Sequence, residues 1–449
     1  MATTSPRGMG QGDPWVAPGR HAATATAGAS VQRLAAGATI TAVAYNALFA
    51  MLAARGVPMN VTIVIICEIL IILAALGASA MGGWRRSDAL PLGYIYFSAV
   101  LALVMSLAQT KFAVDGLRNV LIVAGFTLLG ARASERTVRI VFAICAALTL
   151  LVLIWEIAAL ESYAATFRPA DYLAKTRGYE VKEFYDDIGL SVGTINYSSR
   201  FSFGIFTGPR TSSIFLEQVG INCFAITVLV YLATMWSRLF RWERALSIAS
   251  VVLIILSNNA RMASLVLPVL FAGYFVFPRL PRYLNIVIPV LLLLGMLLVF
   301  QFEQVRIGDD LIGRLGVSYK FLSRLTPQDL LVGSPRLLTK AFDTGYGYVI
   351  ASTTIFGAIA YWAYLTFVVP QDGVVKRRAA WSMNTYIYLW LMVGGTASFS
   401  MKTASLLWFL IGFIRVLPGD GGEGARKALP VLGFPVAPAG AQRGRIALR

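Results

Sequence analysis

Arg210 and Glu217 are the charged residues of the segment GPRTSSIFLEQVG (208–220), which leads directly into a long apolar stretch. Two helical turns would place both side chains on one face of a helix. Charge at the edge of a membrane helix is costly, so its presence there needs a physical reason. An arginine can anchor a helix by extending its guanidinium to the interface. It can also bind phosphate oxygens through two parallel hydrogen bonds.

Further arginines occupy similar boundaries. Arg261 lies in SNNARMAS, a tight turn between two short apolar stretches, and Arg118 opens another short stretch in KFAVDGLRNV. Arg314 belongs to the polar segment 301–345. Each arginine alone is explained equally well by a membrane anchor and by a binding site. Several of them on one side of a membrane, beside short spans, indicate a cavity for an anion.

Asp343 is a candidate proton acceptor, because it lies just before the Gly-rich start of the apolar stretch 345–362. A carboxylate at a membrane surface can act as a general base, and Glu217 is the second candidate for that role. The alternative for Asp343 is a helix N-cap, which is common and contributes about 1 kcal/mol. Its spacing in the sequence does not separate the two.

The elements that must position these residues are membrane helices. The chain is 57% hydrophobic and 14% charged, whereas a soluble domain is about 25% charged. Runs of membrane-spanning length recur along it. We therefore expect an all-α polytopic membrane protein with about 12 transmembrane helices (10–12). The expected spans are 35–54, 59–81, 92–110, 119–131, 138–160, 214–236, 245–258, 262–277, 283–300, 346–369, 380–397 and 402–417.

Four of these spans are short for a hydrocarbon core that is about 30 Å thick. They are 119–131, 245–258, 262–277 and 402–417. Such segments can be broken or re-entrant where the surrounding protein protects them.

The distribution of positive charge predicts the orientation. With the N-terminus inside, nearly every short inside loop carries two or three Lys or Arg and at most one acid, as in GGWRRSD (82–88) and ARASERTVR (131–139). This is the positive-inside pattern, and it predicts that both termini are cytoplasmic. The formal net charge of +17 is then mainly a topology signal and gives no support to a nucleic-acid partner.

The chain divides into one membrane domain, two tails and two loops. Residues 1–33 are expected to be a disordered cytoplasmic tail, 34–417 a single transmembrane domain, and 418–449 a basic cytoplasmic tail. The loops 161–213 and 301–345 face the outer side and are both rich in charge. Their simplest interpretation is a pair of solvated, salt-bridged caps. The first apolar run is too long for a cleaved signal peptide, so we expect it to act as an anchor.

The order of these features resembles the Wzy/O-antigen-ligase superfamily, and most of all its xanthan-type exopolysaccharide polymerases. The resemblance covers roughly residues 90–417. It rests on an R-(T/S)-x-S-x-F-x-E segment that begins at Arg210, an S-x-x-(S/A)-R turn that ends at Arg261, and a second loop that ends in an acid before a Gly-rich span. Ligases of the superfamily have a histidine near the position of Asp343. The only histidine here is His21 in the tail, which favours a polymerase.

The resemblance implies a glycosyltransferase of the bacterial inner membrane with its active site facing the periplasm. The donor would be a growing glycan on undecaprenyl diphosphate, and the acceptor a sugar hydroxyl on a lipid-linked oligosaccharide repeat. Other implied partners are membrane lipid, a flippase, and chain-length or export proteins. We expect no cofactor and no metal, since the sequence has no DxD motif and no His/Asp cluster.

The resemblance also assigns roles to residues. The diphosphate would be stabilised by cations, for which the candidates are Arg210, Arg261, Arg314 and Arg118. Asp343 or Glu217 would deprotonate the acceptor. The candidates for stacking on sugars are tyrosines that are equally at home in an interfacial aromatic belt. They are Tyr197, Tyr346 and Tyr348.

Three alternatives stay open. The first is an O-antigen-ligase-type glycan transferase. The second is a secondary transporter that uses Glu68 and Glu156, carboxylates inside apolar spans where a charge costs about 2.5–3.5 kcal/mol. The third is a non-catalytic scaffold of an export complex. A midplane cavity lined by Glu68 would favour transport, and an outward-facing cavity lined by arginines would favour glycan transfer.

Overall fold

The computed structural model describes residues 18–110, 112–178, 189–194, 202–206, 208–305, 308, 310–338, 341, 344–395 and 399–419, with side chains of the first helix described from Gly28. This part of the chain is all-helical. Its α-helices are α1 (Pro18–Ala54), α2 (Val61–Met81), α3 (Ala89–Gln109), α4 (Val114–Gly130), α5 (Glu135–Ala158), α6 (Leu160–Phe167), α7 (Pro169–Arg177), α8 (Gln218–Met235), α9 (Arg241–Asn258), α10 (Arg261–Val276), α11 (Leu284–Phe302), α12 (Leu311–Leu322), α13 (Pro327–Val332), α14 (Pro335–Leu338), α15 (Gly345–Phe367), α16 (Val374–Val393) and α17 (Met401–Arg415).

Eight segments of the described chain are long and apolar enough to cross a membrane. They are Gly28–Ala54, Val61–Met81, Arg86–Gln109, Glu135–Ala158, Gln218–Arg238, Arg261–Arg279, Leu284–Phe302 and Gly345–Phe367. Large apolar side chains such as Leu70, Leu107 and Phe271 are exposed on these helices. An apolar surface of this extent is typical of contact with lipid. The chain is therefore a polytopic membrane protein.

Helices also occupy the four remaining predicted spans, but they do not reach the same length and apolar composition. Three of them begin several residues earlier than predicted: α4 at Val114, α9 at Arg241 and α16 at Val374. A helix satisfies its backbone internally, so it can continue beyond the apolar core into polar sequence. That these four cross the membrane, and the orientation of the whole, stay predictions.

Helix α17 lies at the centre of the bundle. Every side chain from Met401 to Arg415 is buried, and the helix packs mainly against α4, α1 and α8. Its length is about 22 Å at 1.5 Å per residue, which is less than a hydrocarbon core of about 30 Å. Because neighbouring helices enclose it, its ends do not face lipid.

Two glycines allow α4 and α17 to cross closely. A Cβ on Gly130 would overlap the carbonyl group of Phe409, and a Cβ on Gly412 would overlap the carbonyl group of Thr127. Small residues at crossings are how membrane helices gain close packing. The central helix is therefore held by backbone contact on its α4 side.

Helix α15 is discontinuous at Thr354, which has φ 69° and ψ 175°, a conformation that β-branched residues rarely adopt. The second loop (301–345) contacts α15 beside this break. The Ser334 amide donates to the Ala351 carbonyl at 3.1 Å. Irregular backbone at membrane depth is tolerated where protein satisfies its polar groups, and here the second loop does so.

Ion pairs hold the end of the bundle at which α2 and α4 finish and α5 begins. Arg132 and Asp88 form a buried bidentate pair with N–O distances of 2.8 and 2.6 Å. Arg139 pairs with Glu243 at 3.0 Å. Arginines that serve as topology signals in the sequence thus also join neighbouring helices.

Candidate functional site

The segment from Arg210 to Glu217 is buried and irregular, and it is not an extension of α8. Ser213–Phe215 form a single 3-10 turn, and Ser213 and Leu216 have positive φ values of 47° and 63°. Helix α8 begins only after Glu217. Arg210 and Glu217 therefore do not share a helix face, which corrects the expectation from their spacing.

Glu156 holds this segment in place. Its carboxylate accepts hydrogen bonds from the Ser212 amide at 3.0 Å and the Ser213 amide at 2.6 Å. The Tyr163 hydroxyl donates to the Ser213 carbonyl at 2.7 Å. These groups supply the hydrogen bonds that a helix would otherwise give to its own backbone. The carboxylate at the end of α5 is thus engaged in supporting the irregular segment.

The second sequence motif, residues 257–261, contacts the first. Asn259 has a left-handed φ of 50° and turns the chain from α9 into α10. The Asn258 side-chain amide donates to the Thr211 carbonyl, and the hydroxyl oxygens of Thr211 and Ser257 lie 2.7 Å apart. Two segments that are distant in sequence therefore form one structural unit.

Arg210, Arg261 and Arg314 line one cavity of about 310 Å³, which we name the arginine cavity. This volume is at the lower end of the range for small-molecule sites, about 300–1,000 Å³. Its remaining lining residues are Gln218, Val219, Asn222, Asn258, Asn259, Ala260, Met262, Leu265, Asp310, Leu311, Trp390, Val393, Gly394 and Gly395. Three arginines against one aspartate make the described part of the lining positive, so an anion is the ligand class that it favours.

The three arginines differ in burial and in the element that carries them. Arg210 is only 8% exposed, and its backbone amide donates to the Thr194 carbonyl at 2.6 Å. Arg261 and Arg314 are half-buried. Arg314 belongs to α12 of the second loop, whose first turn is capped by Asp310. The second loop thus brings a cation to the cavity on a short helix, and charges in such a partly dehydrated setting interact more strongly than in water.

Two further polar groups border the arginine cavity. The indole N–H of Trp390 and the side-chain oxygen of Asn222 have no hydrogen-bond partner within the described part of the chain. Buried polar groups are normally satisfied. A ligand oxygen, of a phosphate or a hydroxyl, could accept from the Trp390 indole, and a ligand hydroxyl could donate to the Asn222 oxygen. Neither residue could be singled out from the sequence, since a lone Trp or Asn in an apolar helix has no distinguishing pattern.

Arg118 is not among the residues that line this cavity. Its guanidinium pairs with Glu68, with an Nη2–Oε2 distance of 2.5 Å. Glu68 also accepts a hydrogen bond from the Tyr45 hydroxyl at 2.6 Å. The structure thus supplies Glu68 with a cationic partner, and it separates Arg118 from the other three candidate arginines.

Glu217 belongs to a different group of charges, Glu217, Lys402 and Arg177, which we name the lysine cluster. Lys402 Nζ lies 2.5 Å from one carboxylate oxygen of Glu217, and Arg177 Nη1 lies 2.8 Å from the other. Lys402 Nζ also donates to the Phe215 carbonyl at 2.7 Å. Two cations in contact favour the ionised carboxylate and weaken it as a proton acceptor. This geometry fits an anchoring role for Glu217, and its assignment as a base stays a prediction.

The remaining candidates are in other settings. Asp343 and Tyr197 lie outside the described residues. Tyr348 is buried, and its hydroxyl accepts a hydrogen bond from the Asn119 side chain at 2.9 Å. Tyr346 is half-buried and packs against a small apolar cluster. Both positions are typical of packing residues, and sugar binding by either tyrosine stays a prediction.

Comparisons with protein-family models, curated proteins and solved structures find no match to this chain.

Proposed function

We propose that this protein is a polymerase of a secreted bacterial polysaccharide, of the exopolysaccharide or O-antigen type. It would transfer a growing glycan from undecaprenyl diphosphate to a lipid-linked oligosaccharide repeat. The observation that carries the proposal is the meeting of Arg210, Arg261 and Arg314 in one cavity. Guanidinium groups pair bidentately with phosphate oxygens and keep their charge, which suits a diphosphate.

The proposal includes a topology of about 12 transmembrane helices with both termini in the cytoplasm. The arginine cavity lies where α8 and α10 begin and where α9 and α16 end. With the orientation that the positive-inside pattern predicts, this end faces the periplasm. The protein would then act in the inner membrane on substrates presented at its outer surface.

In the proposed reaction, the bond between the anomeric carbon and the diphosphate oxygen breaks, and its electron pair leaves with the diphosphate. A hydroxyl oxygen of the acceptor sugar forms the new bond to that carbon, and its proton passes to a carboxylate, with Asp343 as first candidate. The arginines stabilise the charge that develops on the leaving diphosphate. Removal of one such donor commonly costs about 10²–10³ in rate.

The test is reconstitution of purified protein in liposomes with lipid-diphosphate oligosaccharide repeats, in the presence of a chelator. We expect the wild-type protein to form a ladder of longer glycans. Arg210→Ala and Arg261→Ala should lower the rate at least about 100-fold. The matched control is Arg324→Ala, an exposed arginine of the second loop outside the cavity lining, which should retain the ladder. Loss of activity in Asp343→Asn would support that carboxylate as the base, and folded wild-type protein that makes no ladder would overturn the proposal.

A secondary transporter is the second candidate function, and the break in α15 at Thr354 favours it, because discontinuous helices form the substrate sites of many transporters. The engagement of both membrane carboxylates weighs against it, since Glu68 pairs with Arg118 and Glu156 with backbone amides. Solute uptake into the same liposomes that is lost in Glu68→Gln would establish transport instead. Transfer to a lipid A core acceptor, with no ladder on lipid-linked repeats, would establish a ligase.

A further inference from the structure

The arginine cavity is lined by uncharged polar side chains as well as by charged ones. Those among the described residues are Gln218, Asn222, Asn258, Asn259 and Trp390. Two of the amides hold the chain in place: the Asn258 side chain donates to the Thr211 carbonyl, and the Asn259 oxygen accepts from a backbone amide at 2.9 Å. The Asn222 oxygen and the Trp390 N–H have no hydrogen-bond partner in the described part of the chain. These two are therefore the neutral groups that a ligand can engage.

The indole of Trp390 is fixed by its neighbours. Trp390 lies in the last turn of α16 and is only 4% exposed. Its ring packs edge-on against Tyr386, with 6.1 Å between the ring centres. Gly394 also lines the cavity, and a Cβ at that position would lie 2.6 Å from the indole nitrogen. Any side chain at position 394 would therefore displace the indole.

Asn222 places a chemical requirement on the ligand that the arginines do not. It lies one turn after the start of α8, which packs against α16. An amide side chain has an oxygen that accepts hydrogen bonds and an NH₂ group that donates them. An ionised phosphate offers acceptor oxygens only, so it cannot satisfy the amide oxygen. A hydroxyl can, because it both donates and accepts.

The charged and the neutral lining groups belong to one site. The cavity has a volume of about 310 Å³, which is at the lower end of the range for a single small-molecule site. Its arginines favour an anion, and Asn222 requires a hydrogen-bond donor. A ligand that meets both conditions is an anion that also carries hydroxyl groups, such as a sugar attached to a diphosphate.

The arginines alone would favour the product of the proposed reaction over its substrate. The diphosphate of the loaded carrier, which bears the glycan, is esterified at both ends, whereas the spent carrier left after transfer has a free terminal phosphate. A terminal phosphate monoester carries about −1.5 to −2 charge at pH 7, more than the esterified group that it replaces. Arginines therefore bind the spent carrier at least as tightly as the loaded one. Neutral groups that contact the sugar have the opposite preference, because the sugar leaves with the glycan.

We propose that Asn222 and Trp390 bind the sugar next to the diphosphate and thereby distinguish the loaded carrier from the spent one; the nature of the carrier rests on the proposed function. The indole N–H donates to a sugar oxygen, and the Asn222 oxygen accepts from a sugar hydroxyl. Both hydrogen bonds are lost after transfer. This loss weakens the binding of the spent carrier and favours its release.

Calorimetric binding measurements on the full-length protein in nanodiscs test the proposal. The probes are glucosyl, galactosyl and N-acetylglucosaminyl farnesyl diphosphate, compared with farnesyl methyl diphosphate, which has the same charge and no hydroxyl. We expect wild-type protein to bind at least one glycosyl probe at least about tenfold more tightly than the methyl ester. Trp390→Phe and Asn222→Leu should each lower this preference at least about threefold and leave the binding of the methyl ester unchanged. Arg261→Ala should weaken both kinds of probe alike.

Trp408→Phe is the matched control for the loss of an indole N–H. The Trp408 N–H is also buried without a partner in the described part of the chain, but Trp408 lies on α17 and is not among the described residues that line the cavity. This variant should bind every probe as the wild type does. Gly394→Ala moves the Trp390 indole without removing its N–H, and it should lower the glycosyl preference as Trp390→Phe does.

Three results would overturn the inference. They are wild-type protein that binds no glycosyl probe more tightly than the methyl ester, a preference that is unchanged in both Trp390→Phe and Asn222→Leu, and an equal loss of glycosyl and methyl-ester binding in these variants. The last result would assign both side chains to the diphosphate. Glycan polymerisation by wild-type protein together with any of these results would keep the proposed function and remove the sugar contact. A glycosyl preference that depends on Asn222 and Trp390, without polymerisation, would remove the proposed function and keep the sugar contact.

Discussion

The lysine cluster gives the most direct test of how the irregular segment before α8 is held. Lys402 is the second residue of α17, and its side chain is only 1% exposed. It contacts the Glu217 carboxylate at 2.5 Å and the Phe215 carbonyl at 2.7 Å. Lys402→Met keeps the apolar stem and removes the charge. Within the described residues, Glu217 then retains Arg177 alone as a cationic partner.

The expected cost follows from burial. Removal of one partner from a buried ion pair destabilises a protein by about 3–5 kcal/mol, because the other charge stays desolvated. Arg177 still offsets part of the Glu217 charge, so we expect about 3 kcal/mol for Lys402→Met. Glu217→Gln leaves Lys402 with the Phe215 carbonyl alone and should cost a similar amount. Replacing both charges at once removes the unpaired charge, so the double variant should be more stable than the sum of the single effects predicts, by about 1.5 kcal/mol or more.

The assay is a double-mutant cycle on the free energy of unfolding in detergent micelles. The control cycle uses Arg238 and Glu135, an exposed pair at 2.7 Å, whose coupling should lie at about 0–1 kcal/mol. Additivity of the Lys402 and Glu217 substitutions within about 0.5 kcal/mol would refute the argument. Loss of kcat in Glu217→Gln with unchanged stability would show instead that Glu217 is a catalytic base.

Three other predictions use the same preparations. Gly412→Ala should lower the free energy of unfolding by about 1–3 kcal/mol, because the added methyl group overlaps α4. Gly295 has open space around it, so Gly295→Ala should leave the free energy of unfolding unchanged or raise it slightly. Equal effects of the two substitutions would contradict the close crossing of α4 and α17. Glu156→Ala should lower the free energy of unfolding by at least about 2 kcal/mol, because it leaves two buried backbone amides without a hydrogen-bond acceptor. It should also speed hydrogen exchange in residues 211–216. Unchanged exchange would contradict the supporting role of this carboxylate. Arg314→Lys should lower the rate of glycan transfer at least about tenfold, since an ammonium cannot pair bidentately with phosphate. The control Arg324→Lys should leave this rate unchanged. Full activity of Arg314→Lys would show that Arg314 is not part of the site.

The class of the protein and part of the site could be predicted because they depend on segments and not on single contacts. A membrane-spanning helix needs about 20 apolar residues, so hydropathy averaged over that length located the helices even where their observed ends differ from the predicted ones. Arg210 lies in the segment that leads into α8, and Arg261 follows the turn from α9 into α10. Both therefore lie at the ends of apolar helices that meet at the arginine cavity. Order along the chain was therefore enough to bring these arginines into one cavity, with Arg314 added from the second loop.

The partners of the charged side chains could not be predicted, because they depend on which helices are neighbours. The pairing of Arg118 with Glu68 joins α4 to α2, and that of Lys402 with Glu217 joins α17 to the start of α8. A lysine at the start of an apolar helix has the pattern of an interfacial anchor. Only the enclosure of α17 by its neighbours makes Lys402 a buried partner, and hydropathy holds no information on enclosure.

Helix ends and arginines both contribute charge to the arginine cavity, and their magnitudes decide which dominates. Helices α8, α10 and α12 begin at the cavity and α9 and α16 end there. With about +0.5 charge at each start and −0.5 at each end, the helix ends nearly cancel and leave about +0.5. Among the described lining residues, three arginines face one aspartate, a surplus of two full charges. Substitution of a single arginine therefore removes more positive charge than all the helix ends together supply, which is why the arginine variants are the decisive test of anion binding here.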